Sequence, residues 1–172
     1  AKALVHFDSS VKVIRGDIGT LQDIDGAPVD ALALPTHSHM TFNNIGAAAT
    51  IFRRAGQELN TYVTSAWVRG NHPTGDVVVT PGFKAGVSKL FHCVGPRNTQ
   101  HQCYELLEKT YENLMNAIAR EDVKCITIAS ISTSNMGVPV NEGAQVAMRV
   151  IQKFIRSTHW NGSLAIVCYE DA

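Results

Sequence analysis

Short apolar runs alternate along this chain with longer segments whose apolar residues recur every third or fourth position. Residues 11–15 (Val-Lys-Val-Ile-Arg) alternate as a half-covered strand does, and residues 29–34 (Val-Asp-Ala-Leu-Ala-Leu) predict a second strand. Small and apolar residues at helical spacing over 44–56, closed by Gly56, predict a helix. A further helix over 57–69 is expected before the breaker Asn71-His72-Pro73. Strands follow at 76–80 and 89–94, separated by a Pro81-Gly82 turn and closed by Gly95-Pro96. In 101–120, Leu107, Tyr111, Leu114 and Ile118 share one stripe, which predicts an amphipathic helix. The nearly continuous apolar run 123–131 predicts a strand covered on both faces. A helix over 141–156 and a last strand over 164–169 complete the pattern. Strands alternating with helices predict an α/β fold, a three-layer α/β/α sandwich around a mixed, mostly parallel sheet.

Length and charge narrow the function. The 172 residues fit a single domain, 1–172, without linker, repeat or low-complexity stretch. Fifteen basic residues balance fifteen acidic ones, so no strong nucleic-acid footprint is expected, and a bound nucleotide would need a shaped pocket. No apolar run reaches bilayer length and no signal pattern opens the chain, so no membrane partner is expected. The four cysteines, Cys93, Cys103, Cys125 and Cys168, lack zinc or disulfide spacing, and none has a basic neighbour that would make it a nucleophile. An intracellular setting, cytoplasmic or nuclear, is the expectation. The first residue is Ala rather than Met, which suits a processed chain or part of a larger polypeptide.

Two segments carry the chemistry. Gly16-Asp17-Ile18 closes the first strand, and Ile131–Pro139 (Ile-Ser-Thr-Ser-Asn-Met-Gly-Val-Pro) joins a strand to a helix. A small-residue loop at a helix N-terminus aims several backbone N–H groups at one point and traps anions. An acidic residue at a strand mouth can accept hydrogen bonds from an amino group on the same ligand. Phosphate at one end and a base at the other suggest a nucleotide. Each segment also has a plainer reading: Gly-Asp is common turn chemistry, and the loop could be a connector that caps its helix. His37 and His39 could pair at i, i+2 on a strand, but zinc needs a third protein ligand and none is visible, so no metal and no cofactor are expected. His37 is a weak candidate for a catalytic base, since no orienting partner is visible, and otherwise a pocket-lining residue. His92, inside an apolar strand, reads as structural.

In order along the chain, Val13-Ile14-Arg15-Gly16-Asp17-Ile18, Val29-Asp30-Ala31-Leu32, Ile51-Phe52-Arg53-Arg54-Ala55-Gly56, Thr80-Pro81-Gly82, Phe91-His92-Cys93-Val94-Gly95-Pro96, Ile128–Pro139 and the last strand resemble the macro domain family, the ADP-ribose-recognising fold. Within it, Cys103–Thr110 and Pro35-Thr36 look most like the macro domain of the large core-histone variant. The resemblance implies that Asp17 accepts a hydrogen bond from the adenine amino group, with the Ile18 N–H facing the ring. It implies that Ser132, Thr133, Ser134, Asn135, Met136, Gly137 and Val138 wrap the diphosphate and distal ribose, and that Tyr169 packs on adenine. His37, Gly46 and Ala47 fall where the family's first loop meets the ligand.

Departures from the family pattern fall on that first loop. Hydrolases of the family carry Asn-Ala-Ala-Asn where this chain has Leu34-Pro35-Thr36-His37, and Gly-Gly-Gly where it has Ile45-Gly46-Ala47 after Asn44. The asparagine that addresses the distal ribose and orients a water is therefore histidine. Ser132 and Ser134 stand where glycines are usual, and Val138 where an aromatic often flanks the ribose. The resemblance implies a binding module for ADP-ribose, free or on an ADP-ribosylated protein. Two alternatives stay open: a hydrolase of ADP-ribosyl esters or related derivatives, and a degenerate domain that binds proteins without nucleotide.

Overall fold

The computed structural model describes residues 11–40, 46–65, 70–133 and 136–168. Eight strands, β1 (Val11–Arg15), β2 (Asp23–Ile24), β3 (Ala27–Pro28), β4 (Ala31–Thr36), β5 (Val77–Pro81), β6 (Lys89–Val94), β7 (Cys125–Ala129) and β8 (Ser163–Cys168), accompany four α-helices. The helices are α1 (Gly46–Ala55), α2 (Gln57–Val63), α3 (Cys103–Arg120) and α4 (Val140–Thr158). Six strands form one sheet in the order β1-β8-β7-β4-β6-β5. Every neighbouring pair is parallel except β5 with β6.

The side-chain alternation of the strands divides the core in two. Ala31, Ala33, Phe91, Cys93, Ile126, Ile128, Leu164 and Ile166 pack under α3 and α4, together with Leu107, Tyr111, Leu114, Val150 and Ile151. Leu32, Leu34, Leu90, Ala165 and Val167 face the other way, onto Ile51, Phe52 and Ala55 of α1 and Leu59 of α2. Helices on both faces of a mostly parallel sheet are the predicted three-layer sandwich. The same arrangement explains why β7 is buried at all five positions. Among the described residues, no helix is long and apolar enough to cross a membrane.

Several boundaries differ from the pattern reading, each for a physical reason. The second strand begins at Ala31 rather than Val29, because the Asp30 carboxylate turns aside to accept the Lys124 and Cys125 N–H groups at 3.1 and 3.2 Å. It also runs on through Pro35, since β4 pairs with β7 only over Ala31–Ala33 and the proline's missing N–H is not needed beyond that point. Helix α2 stops at Val63, well before residue 69, where the Thr64 and Ser65 hydroxyls bond back to the Thr61 and Tyr62 carbonyls. The strand expected over 123–131 is only Cys125–Ala129. A small hairpin, β2 with β3, was not expected, although Asp25-Gly26 at its tip is a strong short-range hairpin signal. The last predicted strand ends at Cys168 in the described chain, and Tyr169 lies outside the described residues.

Candidate functional site

The topology picks out one end of the sheet. After β4 the chain runs to α1 on one face, and after β7 it runs to α4 on the other. Loops that leave neighbouring parallel strands for opposite faces open a crevice at the carboxyl ends of those strands, where ligands of open α/β sheets bind. Here the crevice is widened because β4 runs three residues past its last pairing with β7, Ala33 with Ile128.

Asp17 sits on the loop after β1, and the Gly16 N–H bonds to the Cys168 carbonyl at 3.0 Å, so this loop lies beside the end of β8. One Asp17 carboxylate oxygen accepts the Gly19 N–H at 2.8 Å, the two-residue reach of an Asx turn. The turn reading therefore holds for that oxygen, while Oδ2 takes no hydrogen bond among the described residues. Ile18 is buried, and its N–H likewise has no acceptor among the described residues.

What fixes this loop is Arg54, a residue the sequence reading did not single out. Its guanidinium, half-buried near the end of α1, donates from Nη1 to the Ile18 and Leu21 carbonyls at 3.0 and 2.7 Å, and from Nε to the Ala85 carbonyl at 2.7 Å. Burial lowers its pKa from the usual arginine value, but three carbonyl acceptors suit a permanent cation. No local pattern betrays this role, because a basic residue in the last turn of a helix is ordinary dipole chemistry.

The second loop is ordered by its neighbours. The Ser130 N–H bonds to the Val167 carbonyl at 3.2 Å, and the Ile131 N–H to the hydroxyl of Tyr111 at 3.1 Å. Tyr111, predicted only as part of an apolar stripe, is fully buried, and burial pushes its phenol well above the usual range. Thr133 bonds to the Ser130 hydroxyl at 2.7 Å, and the Val138 N–H closes the loop on the Ser132 carbonyl at 2.9 Å. Val138 is buried, Met136 half-buried and Gly137 exposed. Gly137 has φ +81, and a Cβ there would lie 2.8 Å from the Asn98 side chain, so glycine is required twice over. Ser132 is buried, has φ +66, and its hydroxyl has no partner among the described residues. Ser134 and Asn135 lie outside the described residues.

His37 follows β4, half-buried, and its pKa is lowered by burial and by the positive charge of Arg97. It is not on a strand. The Met40 N–H bonds to its carbonyl at 2.9 Å, which makes 37–40 a turn and removes the premise that His37 and His39 share one strand face. Among the described residues, no cluster of three or more His, Cys, Asp or Glu could hold a metal ion. Gly46 begins α1 with φ +62, and the Ala47 carbonyl accepts the Thr50 hydroxyl at 2.9 Å. Strand spacing keeps the groups apart: β1, which Asp17 follows, and β4, which His37 follows, are three strand steps from each other, about 14 Å. His92 is structural as expected, its Nε2 2.9 Å from the Thr80 hydroxyl and its ring 6.0 Å from that of Phe52.

A third wall was missed entirely. Register pairs Thr36 with Val94, so the loop after β6 opens beside His37. Gly95 lets it approach the second loop, since a Cβ there would stand 2.4 Å from the Ser132 hydroxyl. The sequence marked Gly95-Pro96 only as a strand stop. A cavity of about 110 Å³ beside Asp122, Lys124 and Trp160 lies at the opposite end of the sheet and gathers none of these groups.

Comparison with known proteins agrees with this fold. A family model described as "Macro domain" matches residues 35–147. A Salmonella typhimurium (strain LT2) protein named O-acetyl-ADP-ribose deacetylase is 31% identical over 166 residues, 95% of this chain and 89% of that protein. An Oceanobacillus iheyensis macrodomain with ADP superposes with a TM-score of 0.83 at 24% identity, covering 94% of this chain and 84% of that one. A Trypanosoma brucei macrodomain in complex with ADP-ribose gives 0.80 at 20% identity, covering 94% of this chain and 64% of the other.

Proposed function

This chain belongs to the macro domain family, and from that premise we propose that it is a binding module for ADP-ribose, free or attached to a protein. One observation carries the reading: the order of groups across the strand ends. An available carboxylate oxygen stands after β1, the Gly137 turn leads into the N-terminus of α4 after β7, and a polar mouth lies after β4 and β6. ADP-ribose presents an amino-bearing base, a diphosphate and a second ribose in the same order. In this reading Asp17 Oδ2 accepts from the adenine amino group and the Ile18 N–H faces the ring, with Tyr169 packed on it. The loop from Ser132 to Val138 and the first turn of α4 hold the diphosphate. His37, Gly46 and Ala47 line the distal side. The bound ADP and ADP-ribose of the Oceanobacillus and Trypanosoma proteins support the choice of ligand.

The Salmonella relative's name favours a second reading, hydrolysis of an ADP-ribose ester. Against it stands His37, an imidazole whose two nitrogens point apart and cannot reproduce the adjacent donor and acceptor of an amide. The likeness of Cys103–Thr110 and Pro35-Thr36 to the histone-variant macro domain supports a reader, and the free cysteines suit an intracellular one.

The test is calorimetry with ADP-ribose and with its hypoxanthine analogue, which lacks the amino donor. The parent domain is expected to bind ADP-ribose in the micromolar range and the analogue about 1–3 kcal/mol more weakly. Asp17→Ala should bind both equally and also lose about 1 kcal/mol of stability with the Gly19 bond. A folded parent that binds no ADP-ribose overturns the proposal.

A further inference from the structure

We infer that Asn98, on the loop after β6, is the residue that reads the distal ribose, taking over from the position held by His37. The inference rests on the ADP-ribose reading above and goes beyond it, since neither the resemblance nor any residue-level expectation places Asn98 in the site.

Position comes first. Asn98 lies on the loop that follows β6, the fifth strand from the β1 edge, and meets the loop after β7 at Met136 and Gly137. A ligand anchored by its base at β1 and by its phosphates after β7 extends its last group toward β4 and β6. Asn98 is fixed there by its own backbone, whose N–H donates to the Met136 carbonyl at 2.8 Å. That bond ties the β6 loop to the second loop.

The side chain is placed by contact. Its amide lies flat against Gly137: a Cβ on that glycine would come within 2.8 Å of Asn98 Cγ and Nδ2 and 3.0 Å of Oδ1. Yet Asn98 is exposed, and its amide makes no hydrogen bond among the described residues. A side chain held in place with its donors and acceptor unspent is suited to a polar ligand.

The chemistry fits the vacancy in the pattern. An amide offers a donor and an acceptor side by side, which matches the two neighbouring hydroxyls of a ribose. His37 cannot do so, and burial together with Arg97 keeps its ring neutral. Arg97, next to Asn98 in the chain, brings a positive charge to the same mouth, where an anionic ligand gains from it.

The experiment compares ADP-ribose with ADP, which ends at the second phosphate, on the parent domain and on Asn98→Ala and Asn98→Leu. Asn98→Ala should weaken ADP-ribose about tenfold and leave ADP within about twofold, with the thermal melt unchanged. Asn98→Leu, which keeps the bulk but loses both the donors and the acceptor, should behave like Asn98→Ala for ADP-ribose. An equal loss for both ligands would make Asn98 a brace for the phosphate loop and overturn the inference. Unchanged or tighter ADP-ribose binding would overturn it as well, the latter marking Asn98 as an obstruction. A parent domain silent toward both ligands removes the ADP-ribose reading itself, and this inference with it.

Discussion

Ser132 combines two costs in one residue. Its left-handed backbone, at φ +66, costs a non-glycine residue about 1–2 kcal/mol, and its hydroxyl is buried without a partner among the described residues. Such costs collect at binding loops, where the surrounding structure over-determines the backbone. His92 is a different case, a buried group with a measurable consequence. Unfolded, its imidazole takes up a proton near pH 6.5; folded, burial holds protonation back to about pH 3. Between those values the unfolded chain binds more protons, so this contribution to stability is complete above pH 6.5 and is lost as the pH falls. The slope from this group should approach about 1.4 kcal/mol per pH unit. Urea unfolding of the parent and of His92→Gln at a series of pH values from neutral to mildly acidic measures it. The variant should start less stable and decline less steeply, and equal slopes would assign the acid sensitivity to other groups.

Among the elements, α1 holds the loop that carries Asp17 from a distance, through Arg54. Replacing it by Met keeps most of the side-chain packing and strands three carbonyls, those of Ile18, Leu21 and Ala85. Arg54→Met is expected to lower stability by about 1–3 kcal/mol and to speed amide exchange at Gly19 and Thr20. ADP-ribose affinity should fall as well, because the loop carrying Asp17 loses its anchor. Unchanged exchange at those amides would contradict the clamp. This is also where the reach of the sequence ends. Among the described residues, periodicity of 2 and of 3.6 identified the large strands and helices, because burial of one face writes itself into neighbouring positions. Asp17 and the 131–138 loop were candidates in the sequence because glycine and small residues cluster where a backbone can approach a ligand. Arg54, Tyr111 and Asn98 were not, because each acts across the sheet on residues remote in sequence. Pro35 misled for a related reason: whether a strand tolerates proline depends on which neighbour lies beside it, and that is a property of the whole sheet.

At the scale of the molecule, a reader and a hydrolase can share one fold. The fold cannot decide between them. A displaced or missing positioning contact costs about a hundredfold or more in rate, so negligible turnover is expected even where ADP-ribose binds. The measurement is a time course of label release from a protein ADP-ribosylated on acidic residues, with the domain at stoichiometric concentration. Several turnovers that vanish in His37→Ala would make His37 catalytic and the domain an enzyme. The departure of the chain to opposite faces of the sheet after β4 and after β7 has a consequence beyond providing a cleft. One wall of the cleft grows out of the helical layer on one side of the sheet, and the other wall out of the layer opposite. A molecule lodged across the strand ends would fasten those two layers to each other. Affinity then becomes a gauge of packing throughout the sandwich, and a flaw deep in either layer would be felt first as a ligand that no longer holds.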